Sequence, residues 1–181
     1  MTRLSNPREH DALDLLTRDH DAIKRQFQAY ERLLSRGCGG ELKAALVGRL
    51  CFRLSLHFQI EEDLFYPAVS EAIGAEAALA HSQKDRLGCR ELIARLDEME
   101  PGDADFDATV AVLAAYVVPH MDEEQREIFE RVRQAGLDTL ALGRRMAQRQ
   151  RALCDDVTQI GTARSKVAAA VWPGRFGGMI F

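Results

Sequence analysis

Apolar residues along this chain recur at alternating steps of four and three, and no segment alternates with period two. One stripe runs Leu16, His20, Ile23, Phe27, Tyr30 and Leu34. A second runs Leu46, Leu50, Leu54, His57, Glu61, Leu64 and Ala68. A third runs His81, Asp85, Gly88, Leu92, Leu96 and Met99, and a fourth Phe106, Val110, Leu113, Val117, His120, Glu124 and Ile128. That spacing gives one core-facing stripe per helix. Breaks fall at Gly37–Gly40, near Ser70–Gly74 and at Pro101-Gly102, where Gly and Pro interrupt runs of strong helix formers. The pattern predicts helices near 11–36, 41–69, 75–99 and 104–135, with Pro67 ending or kinking the second and Asp103 or Asp105 capping the fourth. Long helices with short connections imply an all-α, up-down-up-down four-helix bundle over 11–135. Residues 136–181 are expected to add a fifth, arginine-rich helix from Asp138 to Asp155 and a tail ending Trp172–Phe181, packed on the bundle or extending from it.

Each stripe carries one histidine. A single imidazole on an apolar stripe is usually a hydrogen-bonded core residue, but with about 2/7 of helix positions facing the core, four of four is a rare outcome of chance. Glu61 and Glu124 each follow a histidine by four residues on the same stripe. Buried, unpaired carboxylates are costly and call for a cation, and no Lys or Arg shares the stripes nearby. The heights agree as well. In antiparallel neighbours, residues equidistant from the connecting turn lie level: His20 with His57 about the Gly37–Gly40 turn, Glu61 with His81 about the second break, His81 with His120 about Pro101. Glu124 lies one turn, roughly 5.4 Å, beyond His120. The six groups therefore fall in one layer, and a metal is the economical partner.

Composition narrows the surroundings. The chain has 181 residues, 29% of them charged, with a net charge of −4. That balance gives no general reason to expect nucleic acid or an acidic membrane surface as partner. The opening MTRLSNPREH lacks the apolar core of a secretory signal, and the run Ala108 to Val118 is far short of a membrane span. Cys38, Cys51, Cys89 and Cys154 form no C-x-x-C pair, so a reducing, cytoplasmic setting is expected.

Four imidazoles and two carboxylates exceed what one tetrahedral zinc takes, and without cysteine they do not suit an iron–sulfur cluster. They suit two iron ions bridged by carboxylates. Ferritin-like bundles differ, using Glu-x-x-His and more carboxylates. A histidine-rich set leaves more charge on the irons and favours a retained oxo, hydroxo or small anionic ligand. The segments LLTRDHDAIKRQF, HFQIEEDLFYPAV, AHSQKDRL and HMDEEQREIFERV resemble the four helices of the hemerythrin/HHE cation-binding family across about 11–135. The resemblance implies a non-haem di-iron centre in which His20 and His57 bind one iron, His81 and His120 the other, and Glu61 and Glu124 bridge. Oxygen-carrying hemerythrins place a further His four residues after the third-helix His, where this chain has Asp85. Asp85 could act as an extra ligand, accept a hydrogen bond from an imidazole, or be solvated. An open iron position admits peroxide or nitric oxide as readily as oxygen.

Two classes of function follow from that likeness: a protein that binds oxygen or nitric oxide or senses iron and oxygen, and a peroxidase, catalase-like protein or oxidase. A purely structural metal is a third. Tyr116, one turn before His120, is expected in the core or near the metal. Glu62, Glu123, His10 and the arginines 144, 145, 149 and 151 read as solvated, and the apolar tail residues as docked on the bundle, as a homodimer contact or as disordered.

Overall fold

The computed structural model describes residues 11–37, 39–74 and 76–160, with side chains at 76–85 and 156–160 outside that description. Five helical rods account for nearly all of it. α1 is Ala12–Ser35. α2 runs as Gly40–Ile60, a π-helical turn Glu61–Phe65, and Tyr66–Ile73. α3 is Glu76–Glu98. α4 runs as Phe106–Glu123, a second π turn Glu124–Ile128, and Phe129–Ala135. α5 is Thr139–Ile160. α1 packs on α2, α2 on α3, α3 on α4 and α4 back on α1, while α5 lies across α1 and α2. The bonds Lys24 Nζ–Asp122 Oδ1 and Tyr30 Oη–Asp107 Oδ1, both 2.5 Å, make α1 and α4 antiparallel, since the higher number on one meets the lower on the other.

Local chemistry sets the ends. Asp11 caps α1 by accepting the Leu13 and Asp14 N–H groups, the usual role of a carboxylate at that position. Its other oxygen accepts the Thr139 hydroxyl, which ties the start of α5 to the start of α1. Gly74 ends α2 at φ 58°, a left-handed turn that glycine adopts without a Cβ clash. Asp105 sits at the N-cap of α4 but makes no side-chain cap bond, and Asp103 instead accepts the Glu100 N–H. The expected cap is therefore absent.

Pro67 does not end α2. The helix passes it and stops at Ile73, because the π turn lies just before it. There Tyr66 N–H reaches back five residues to the Glu61 carbonyl, and the ladder changes register where Pro67 has no N–H to lose. The extra residue turns the buried face. Phe65, Tyr66 and Val69 are buried, whereas Leu64 and Ala68, expected on the stripe, are only half-buried. On α3 the buried row is Cys89, Ile93 and Leu96, one position past the expected Gly88 and Leu92. Both rows are apolar, so the sequence alone does not choose between them. Leu34, at the last turn of α1, is exposed.

The core has two apolar clusters. One gathers Ile23, Phe27, Leu50, Leu54, Phe58, Leu96, Phe106, Leu113 and Met121 among others; the second gathers Leu13, Leu16, Phe65, Val69, Phe129, Val132, Leu142 and Met146. At ~1.5–3 kcal/mol per buried large side chain, each is a substantial source of stability. α1, α2 and α4 all pass from one cluster to the other, and on each the crossing point carries His20, His57 with Glu61, or His120 with Glu124. A buried polar layer thus lies between two dry ones.

Candidate metal centre

His20, His57, Glu61 and Glu124 each turn a nitrogen or oxygen into one spot, with those four atoms all within 4.8 Å of one another. Every one of the four is buried. His57 Nε2 lies 2.9 Å from Glu61 Oε1, one turn along α2, and His20 Nε2 lies 3.3 Å from Glu124 Oε2 across the bundle. The two π turns begin at Glu61 and Glu124, so both carboxylates stand at the residue where the ladder loosens. Such turns often accompany functional positions in helices.

His120 is buried one turn before Glu124, and its charge bears on Glu61. The side chains of His81 and Asp85 lie outside the described residues, as does His10. Tyr116 is exposed and belongs neither to the core nor to the layer; the buried tyrosines are Tyr30 and Tyr66. Glu62 is not merely solvated: it pairs with Arg86 and Arg90. Arg86 itself is buried against the Tyr66 ring. Arg149 pairs with Asp63, and Arg144 and Arg151 are exposed. The tail from 161 lies outside the described residues.

Hydrogen bonding tests the fit to a cation. Among the described residues, both nitrogens of His20, Nε2 of His57 and of His120, and all four carboxylate oxygens of Glu61 and Glu124 are buried with no well-aligned hydrogen bond, although His57 Nε2 stands 2.9 Å from Glu61 Oε1. Leaving one such group unmade costs ~1–3 kcal/mol, and more when charged. Ordinary core polar groups find partners. An inward-facing set of imidazole nitrogens and carboxylate oxygens is the donor chemistry of a transition-metal site, so the residues fit.

Electrostatics points the same way. Burial pushes the Glu61 carboxyl up, but His57, His20 and His120 outweigh it and hold it well below the usual range. Burial lowers the His57 imidazole, and Glu61 with Asp19 more than reverses that. His20 is likewise raised, the pull of Glu124 and Glu61 exceeding its desolvation. Aromatic rings close the layer from the side of the second cluster. Phe129 stacks on His20 at 6.0 Å and Phe65 meets Phe129 edge-on, leaving dry walls around the polar atoms.

Sequence reasoning missed Asp19. Its Oδ2 lies 3.0 Å from His57 Nδ1 and its Oδ1 accepts from Arg53 at 2.8 Å. The signal was present: Asp19 is next to His20, and Arg53 precedes His57 by one turn. Neither lies on an apolar stripe.

Residues 11–132 match the family model described as the hemerythrin HHE cation binding domain. Among solved structures, a hemerythrin HHE cation binding domain-containing protein from Mycobacterium kansasii is similar, with a TM-score of 0.67 and 22% identity. The alignment covers 89% of this chain and 96% of that one; at such identity the likeness speaks for the fold. Among curated proteins no sequence matches the chain.

Proposed function

The chain belongs to the hemerythrin HHE cation-binding domain family, and on that premise we propose that it holds two iron ions and uses them to bind or process oxygen, nitric oxide or peroxide. His20, His57, His81 and His120 would supply nitrogen ligands, two to each iron, and Glu61 and Glu124 would bridge. The observation that carries this reading is the set of buried imidazole and carboxylate atoms that converge, among the described residues, with no well-aligned hydrogen bond. Bound there, an iron pair would supply Lewis acidity and one-electron chemistry toward a small ligand.

The protein's own part is holding and shielding. Glu61 and Glu124 bring two negative charges from facing helices, which offset cations in a dry core. The four histidines are neutral donors and leave most of the cationic charge uncompensated, which favours an added small anion or oxidant. Phe58, Phe65 and Phe129 keep bulk water from the layer. α3 carries no His beyond His81, so the irons would be less saturated by imidazole, which would leave room for an incoming ligand unless Asp85 fills it.

Optical spectra of the iron-loaded, reduced protein exposed in turn to oxygen, nitric oxide and peroxide test the proposal. At least one should generate a new absorption band. No spectral response to any of the three would contradict it. Rapid peroxide loss with evolution of oxygen would place the centre among enzymes, and a stable reversible band among binding proteins.

A further inference from the structure

The outer face of His57 is as organised as its inner face. Asp19 places one carboxylate oxygen 3.0 Å from His57 Nδ1 and the other 2.8 Å from Arg53 Nη1. The Asp19 side chain is only 16% exposed, and His57 is fully buried. Together they line a cavity of about 200 Å³ between α1, α2 and α5, with Leu16, Ile60 and Met146 as its apolar walls. His57 thus belongs both to the cavity lining and to the carboxylate layer. Its Nδ1 meets Asp19, and its Nε2 lies 2.9 Å from Glu61.

We infer that Asp19 is a positioning residue for the proposed centre, locking His57 in the tautomer whose bare Nε2 faces the metal; this rests on the reading above. An ionised carboxylate only accepts, so the Nδ1 beside it carries the proton. A neutral imidazole with its proton on Nδ1 has its lone pair on Nε2. Arg53 sharpens the constraint. Its guanidinium is always a donor, so Asp19 must present an acceptor on both sides at once. A carboxylate does so and a carboxamide does not. In Asp19→Asn, the oxygen that stays with Arg53 leaves the NH₂ facing Nδ1. That arrangement favours the opposite tautomer and puts a proton where the metal should bind. Among the described residues, neither nitrogen of His20 has a carboxylate–guanidinium pair of this kind.

Anaerobic Fe(II) titration of the full chain tests this, with Co(II) as a spectroscopic probe of the same site. Wild-type protein should bind two ions. Failure there would remove the di-iron reading itself, separately from the role of Asp19. Given wild-type binding, Asp19→Asn should weaken one of the two ions by ~10–100-fold. Adding Arg53→Ala to it should restore part of that affinity, because the Asn oxygen is then free to turn to Nδ1. Plain damage to packing would instead worsen with the second substitution. Equal affinity in wild type and Asp19→Asn, or a further loss in the double variant, would overturn the inference. Should Asp19→Asn not fold, ¹⁵N-histidine spectra of the metal-loaded wild type carry the test. A His57 ring protonated on Nδ1, with a slowly exchanging proton, is expected; protonation on Nε2 would refute it.

Discussion

Glu61 and Glu124 each stand one helical turn after a buried histidine, and among the described residues their near neighbours are imidazole nitrogens, His57 Nε2 at 2.9 Å from Glu61 and His20 Nε2 at 3.3 Å from Glu124. Gln preserves their shape but removes the charge and is a poor bridge. Glu61→Gln or Glu124→Gln should therefore disturb both metals, whereas His20→Ala should weaken mainly one, as His57 remains. Metal analysis with Mössbauer spectra separates the cases, and full, coupled loading in both Gln variants would rule out bridging. The same residues set opposite pH trends for the two forms. In metal-free protein, Glu61 is held below its ordinary 4.5 and His57 and His20 above 6.5. Stability from the depressed carboxylate is present above pH ~4.5 and lost as pH falls through its folded pKa. Stability from the raised imidazoles is full below pH ~6.5 and lost as pH rises through theirs. The pairing thus acts from mildly acid pH up to the raised imidazole pKa. Metal requires neutral imidazoles and so binds better as pH rises. Melting temperature from pH 5.5 to 8.5 should decline in the metal-free form relative to the loaded one. Parallel curves would contradict this.

At the scale of elements, the π turns are what the periodic stripe did not show. Through Glu61 the α2 stripe is legible, because polar and apolar residues sort by face. Beyond it, Leu64 and Ala68 fit a straight helix as well as Phe65 and Val69 fit a shifted one, and only packing against Phe129 and α5 selects the second. Removing one residue from this turn, as in a Leu64 deletion, should restore α register and swing Phe65 and Val69 by ~100°. Loss of a buried Phe alone costs ~3–5 kcal/mol, so the denaturant midpoint should fall sharply. An unchanged midpoint would mean that the turn is incidental. The ambiguity on α3 has a similar origin, since two adjacent apolar rows were available. Asp19 escaped for a different reason: it acts from beside the stripe, through a bond between helices that periodicity does not encode.

For the whole molecule, the all-helical architecture and the convergence of His20, His57, Glu61 and Glu124 were readable because helix period, turn spacing and histidine placement pointed to the same heights. None of the described helices is long and apolar enough to cross a membrane. α5 was foreseen as a helix, but its seat across α1 and α2, pinned by Thr139 to Asp11 and by Arg149 to Asp63, depends on tertiary contacts. Two apolar clusters separated by a polar sheet would be a poor design for stability alone, since the layer forfeits burial and leaves charged groups unmatched. A bound cation pair would resolve that mismatch. Iron stoichiometry with Mössbauer spectroscopy on protein produced in iron-replete medium tests the proposed centre. About two irons per chain, magnetically coupled, are expected. One equivalent of zinc with no iron after reconstitution, or uncoupled iron removable without change in melting temperature, would contradict it.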